Sequence, residues 1–72
     1  MARMVYVDLV TEKGEIVRIV CPEKFEDELY ESLEHDMKRG DWWSPGYFDG
    51  CRAEYMGLAM DKIAMNKIVG ML

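Results

Sequence analysis

The sequence predicts an α+β domain in which a mainly antiparallel sheet of three or four strands packs against one acidic helix. The prediction rests on an alternating apolar pattern near the N-terminus, a helical apolar stripe after it, and a second alternating stretch beyond a loop. Of the 72 residues, half are hydrophobic and 32% are charged. This composition suits one small folded domain spanning residues 1–72, with a single core.

The first element is a β-hairpin over residues 4–21. Val5, Val7 and Leu9 alternate with their neighbours, and the turn around Gly14 places Asp8 opposite Arg18. In this register one face of the hairpin is wholly apolar. The other face surrounds the single charged pair with four largely apolar residues, namely Tyr6, Val10, Ile16 and Val20. We expect the aromatic loop described below, the C-terminal segment or a second copy of the chain to cover that face, because exposed apolar patches usually mark interfaces.

The second element is an amphipathic helix over residues 23–39, which ends at a glycine suited to a C-terminal cap. Its apolar stripe follows helical spacing and comprises Phe25, Leu29, Tyr30, Leu33 and Met37. We expect this stripe to cover the apolar face of the hairpin. Pro45 and Gly46 then indicate a loop over residues 41–50, and looser alternation over residues 52–60 predicts a third strand.

The last segment, residues 61–72, fits either a helix or a short strand. Met65, Ile68 and Leu72 follow helical spacing, whereas Asn66 and Gly70 weaken a helix. The adjacent β-branched residues at positions 68 and 69 slightly favour a short strand over a helix.

Charge and cysteine content narrow the class of protein. The net charge of −5 argues against direct binding to a nucleic-acid backbone. Two cysteines, Cys21 and Cys51, show no metal-binding spacing, and no signal-like or membrane-spanning stretch is present. We therefore expect a cytoplasmic protein with no metal, no cofactor and no membrane association.

The sequence contains no recognisable catalytic motif. A cysteine with His35 as its base has no third group to orient the histidine, and His35, Asp36 and Asp41 lack metal-ligand spacing. We expect both cysteines to be structural and the protein not to be an enzyme.

The most unusual feature is the aromatic loop, defined as residues 41–50, which contains half of the chain's eight aromatic residues. Adjacent tryptophans do not easily both point inwards from an extended loop, so we expect one in the core and another exposed. Tryptophan and tyrosine are also enriched among the residues that dominate binding energy at interfaces. The candidate partner-binding residues are therefore Trp42, Trp43, Tyr47 and Phe48 of the loop, together with Tyr6 on the uncovered hairpin face.

These observations favour a non-enzymatic interaction module, of the regulator or inhibitor type, that binds a protein partner or a second copy of itself through the aromatic loop and the exposed sheet face. One alternative is a small-ligand-binding domain that uses the aromatic loop as a stacking platform. Another is an acidic protein that mimics nucleic acid, because residues 23–36 contain seven acidic residues and one basic residue.

Overall fold

The computed structural model describes residues 3–72. Within this range the regular elements are β1 (Met4–Thr11), β2 (Ile16–Pro22), α1 (Glu26–Arg39), β3 (Trp42–Trp43), β4 (Arg52–Tyr55), β5 (Leu58–Met60), β6 (Ile63–Ala64) and β7 (Ile68–Met71). Short 3-10 turns occupy Glu23–Phe25, Pro45–Tyr47 and Met65–Lys67. The α+β class is thus confirmed.

The sheet is larger than the sequence predicts. In the described part of the chain, five antiparallel strands lie in the order β5-β4-β2-β1-β7, and β3 pairs with β6 in a separate two-stranded sheet. The expected count of three or four strands is therefore wrong. The extra strands are short ones from the second half of the chain, where no long alternating pattern marks them.

The register of the N-terminal hairpin is confirmed. Asp8 lies opposite Arg18 and Leu9 lies opposite Val17, as the alternation requires. The amide of Thr11 donates to the carbonyl of Glu15 at 2.9 Å and closes the loop. Because every second residue points to the same side, this register directs Val7, Leu9, Val17, Ile19 and Cys21 into the core.

The helix forms where the stripe predicts, although its first three residues adopt a 3-10 turn. Gly40 takes a left-handed conformation and caps the C-terminus of α1. Leu29 and Leu33 are fully buried against the sheet, with Phe25 and Met37 packed at the margins of the core. Tyr30, in contrast, is exposed, because a residue next to Leu29 lies about 100° further round the helix.

Residues 52–60 form a hairpin of β4 and β5 and not the single strand that the sequence predicts. Met56 and Gly57 occupy the tip with φ values of 52° and 79°. Positive φ at both central residues is the geometry of a tight type I′ hairpin turn. Methionine rarely adopts this conformation, which is why the turn is hidden in the sequence.

The C-terminal segment ends in the favoured short strand, β7, which pairs with the end of β1. It therefore extends the sheet sideways and does not cover its outer face. The amide of Leu72 donates to the carbonyl of Asp8 at 2.9 Å and continues this pairing.

The core lies between α1, the inner face of the large sheet and the small β3–β6 sheet. Its buried members are Val7, Leu9, Val17, Ile19, Cys21, Leu29, Leu33, Trp43, Ala53, Ile63, Met65 and Ile68. Over residues 3–72, no helix is both long enough and apolar enough to cross a membrane.

Candidate functional site

Trp43 is a core residue and not a surface contact. Its side chain is 0% exposed, and its indole Nε1 donates a hydrogen bond to Ser32 Oγ of α1 at 2.8 Å. The ring also meets Tyr47 edge-on, with centroids 6.0 Å apart. The expectation that one tryptophan is buried is therefore met, but Trp43 contributes no exposed surface to the predicted partner contact.

Trp42 points the opposite way, because successive side chains of a strand alternate in direction. It is 57% exposed, and the Lys62 ammonium nitrogen lies 4.7 Å from the ring centroid in a cation–π contact. Tyr47 is 59% exposed, whereas Phe48 packs against Phe25 with ring centroids 5.4 Å apart. Two of the four loop aromatics thus remain accessible.

A short polar motif holds the aromatic loop in place. The hydroxyl of Ser44 accepts a hydrogen bond from the Gly46 amide at 3.2 Å and donates to the Asp61 carbonyl at 2.9 Å. These bonds cap the 3-10 turn at Pro45–Tyr47 and tie it to the start of the C-terminal segment. Together with the Trp43–Ser32 bond, they fix the loop beside α1, on the side of the sheet away from Tyr6.

The opposite side of the large sheet has no layer over it within residues 3–72. We call it the open face and define it by the outward-facing residues of β1, β2 and β4: Tyr6, Asp8, Val10, Ile16, Arg18, Val20, Arg52 and Glu54. Tyr6 is 58% exposed and Ile16 is 40% exposed, whereas Val20 is buried.

Ion pairs run across the middle of the open face. Arg18 donates to both carboxylate oxygens of Asp8, at 2.8 and 2.9 Å, and its guanidinium carbon lies 5.5 Å from the centroid of the Tyr6 ring. Arg52 donates to Glu54 at 3.0 Å on the neighbouring strand. The hydrogen bond from Arg18 lowers the pKa of Asp8, so this carboxyl group stays ionised at acidic pH values at which an ordinary aspartate begins to be protonated.

The two faces of the molecule therefore differ in charge. The open face carries two acidic and two basic side chains and is neutral overall. Residues 23–36, in contrast, have a net charge of −6. The net negative charge of the chain is therefore concentrated in residues 23–36, since the remaining residues together carry a net charge of +1.

Neither cysteine is poised as a nucleophile. Cys21 is buried, and both thiols are free. The pKa of Cys51 is raised to about 12, mainly because the thiol is partly buried and secondly because it contacts the Cys21 thiol. A thiol with a raised pKa is protonated at neutral pH and reacts slowly.

His35 lies exposed on α1 beside Asp36, with 3.2 Å between Nδ1 and Oδ1. The described residues contain no group of three or more histidine, cysteine or acidic side chains placed to hold a metal ion.

A cavity that the sequence does not reveal opens at the turn end of the N-terminal hairpin. Its volume is about 230 Å³. Its walls come from the hairpin turn, β4, β5 and the segment around β6, and none of the residues lining it belongs to the aromatic loop. The sequence gives no indication of this cavity, because the segments that line it are far apart along the chain.

Comparison with known proteins supplies no relative from which a role could be transferred: no family model, no curated protein and no solved structure matches this chain.

Proposed function

We propose that this chain is a non-enzymatic interaction module, of the regulator or inhibitor type, and that the open face is its principal contact with another protein. The observation that supports this proposal is the exposure of Tyr6 and Ile16 on a sheet face with no covering layer among the described residues. Association would remove this apolar area from water, which is favourable by about 25 cal/mol per Å².

The partner that best suits the open face is a second copy of the chain. The face has no net charge, because its two acidic side chains are balanced by two basic ones. Two copies can therefore meet through it without net electrostatic repulsion at the contact. Pairing through this face also places the two acidic helices on the outer sides of the dimer. At physiological ionic strength, charges separated by more than about 8 Å in water are largely screened.

The acidic helix suits a different kind of contact. A surface with net charge −6 over residues 23–36 repels a second copy and attracts a basic partner. Such attraction accelerates encounter more than it holds a complex together, and it weakens with salt. The nucleic-acid-mimic alternative would use this helix and leave the open face in water.

Trp42 and Tyr47 are the exposed aromatic residues of the aromatic loop. We assign to each of them a secondary contact with the partner, because exposed tryptophan and tyrosine side chains are enriched at interfaces. We also propose a cytoplasmic location, which the two free thiols support because cysteines stay reduced in that compartment.

Site-specific photocrosslinking tests which surface makes the contact. A photoreactive amino acid is introduced separately in place of Tyr6, Trp42 and Glu31, which report on the open face, the aromatic loop and the acidic helix. We expect the purified protein labelled at Tyr6 to give a covalent dimer whose yield rises with concentration and falls when unlabelled protein competes. Circular dichroism establishes that each labelled chain is folded.

Two outcomes contradict the proposal. Crosslinks from Glu31 alone, lost at high salt, would favour the acidic helix as the working surface. A chain that stays monomeric in sedimentation velocity and gives no crosslink from Tyr6, either to itself or in cell extract, would remove the open face as a contact.

A further inference from the structure

The cavity at the turn end of the hairpin combines apolar walls with a polar mouth. Val17, Ile63 and Ile68 are buried wall residues, and Tyr55 and Met60 are half-buried beside them. At about 230 Å³ the cavity is smaller than the roughly 300–1,000 Å³ typical of sites for drug-sized ligands. An apolar cavity of about 150 Å³ holds benzene in another protein. This cavity therefore has room for one ring or a short alkyl chain with a polar group attached.

One charged group is held at the cavity wall. The hydroxyl of Tyr55 donates a hydrogen bond to Glu15 Oε2. The backbone of Glu15 is fixed by Thr11 on both sides, because the Glu15 amide donates to Thr11 Oγ1 at 3.0 Å and the Glu15 carbonyl accepts from the Thr11 amide at 2.9 Å. The bond to Tyr55 uses one carboxylate oxygen of Glu15 and leaves the other free to accept from a ligand.

The other charged residues that line the cavity are less constrained. Glu12, Lys13 and Lys67 are exposed, and none of them forms an ion pair within the described part of the chain. With Glu15 they make two acids and two bases, so the lining has no net charge. The Glu15 carboxylate therefore determines whether the site prefers a cationic or an anionic ligand, because among the described residues it is the one charged group of the lining that a hydrogen bond holds in place. The net charge of −5 on the whole chain adds a field that attracts cations.

We propose that this cavity binds small apolar amines, with the ammonium group on Glu15 and the apolar body against Val17, Ile63 and Ile68. A protonated amine donates hydrogen bonds to the free carboxylate oxygen, and the adjacent Tyr55 ring offers an aromatic face to the cation. A carboxylate ligand would instead have to rely on two mobile lysines and would meet Glu15 as a like charge. This site is separate from the open face and does not depend on the proposed function.

Three ligands of similar size that differ in charge test the proposal. Benzylamine, benzyl alcohol and benzoate are titrated into the isotopically labelled full chain, and amide chemical shifts are followed by NMR. We expect benzylamine to give saturating shifts at Glu15, Tyr55 and Ile63, with benzyl alcohol and benzoate binding at least tenfold more weakly. Tighter or equal binding of benzoate would overturn the assignment of the charge preference to Glu15.

Matched variants separate the site from general electrostatic attraction. Glu15→Gln removes the charge but keeps the shape of the side chain, and Glu34→Gln makes the same change of charge on the exposed surface of α1. We expect Glu15→Gln to weaken benzylamine binding about tenfold or more, because hydrogen bonds to charged groups are strong, and Glu34→Gln to leave it nearly unchanged. Equal effects of the two variants would overturn the proposal.

A filling variant protects the test against a folding defect in Glu15→Gln. Ala64 lines the cavity and is half-buried, so Ala64→Leu places extra carbon atoms in the space for the ligand. We expect this variant to lose the benzylamine shifts and to keep the amide spectrum of the folded chain elsewhere. Unchanged benzylamine binding in a folded Ala64→Leu protein would show that the ligand binds elsewhere and would refute the proposal.

Discussion

The two faces of the large sheet are built from the same strands and yet have opposite chemistry. Leu9 and Ile19 point inwards and are completely buried under α1. Tyr6, Asp8 and Arg18 alternate with them along the same backbone and point into water. The inward-facing residues therefore form the core and stabilise the fold. The outward-facing residues contribute little to the core, and their side chains are accessible to another molecule.

The same division recurs within two adjacent residues of the aromatic loop. Trp43 fills the core and bonds to Ser32, whereas Trp42 is mostly in water and touches Lys62. Residue type alone thus says little about role in so small a domain. The direction in which the backbone aims each side chain decides whether an aromatic residue stabilises the fold or presents a surface.

The largest expected effect comes from substituting the two tryptophans separately. Trp43→Ala should lower the free energy of unfolding by about 3–5 kcal/mol, the usual cost of removing a buried tryptophan. Trp42→Ala should cost less, about 1–2 kcal/mol, since more than half of this side chain is already in water and its cation–π contact with Lys62 is exposed. Urea unfolding followed by circular dichroism measures both. Similar losses for the two variants would abolish the distinction between the inner and outer residue.

A smaller effect is expected from the hydrogen bond that anchors the buried indole. Ser32→Ala leaves the Nε1 hydrogen of Trp43 without its partner inside the protein, which should cost about 1–3 kcal/mol. The same serine substitution made in a Trp43→Phe background provides the control, because phenylalanine has no donor to leave unsatisfied. An equal cost in both backgrounds would mean that the hydroxyl does not act through the indole.

The elements that the sequence predicts well are those whose contacts are local. The hairpin register follows from strict alternation and from the single charged pair, Asp8 and Arg18. The helix follows from a stripe that includes Leu29 and Leu33, both of which are buried. In each case a short stretch of chain contains the whole pattern.

The second half of the chain depends on contacts between distant segments. Trp42–Trp43 is too short to show alternation, and it becomes a strand only because Ile63–Ala64 pairs with it. Met56 conceals a turn, since no sequence rule favours methionine with a positive φ. The cavity beside Glu15 likewise forms only when the hairpin turn meets β4 and the segment around Ile63. Such features require tertiary packing, which short-range patterns do not contain.

The smallest expected effect concerns the ion pair on the open face. Asp8 and Arg18 are partly exposed, and pairs of this kind contribute little to stability because water already solvates both charges. A double-mutant cycle with Asp8→Asn and Arg18→Gln should therefore give a coupling well below the cost of Ser32→Ala. The pKa of Asp8 is lowered in the folded chain from its ordinary value of 3.8, so the small coupling should persist above that value and vanish as the pH falls through the lower folded pKa. Urea unfolding of the four proteins at neutral and strongly acidic pH measures it. A coupling as large as the Ser32→Ala effect would show that the pair is shielded from water. A dimer that covers the open face would shield it in this way. Repeating the cycle at low protein concentration would distinguish a dimer from a strong pair in the monomer, because dilution dissociates a dimer.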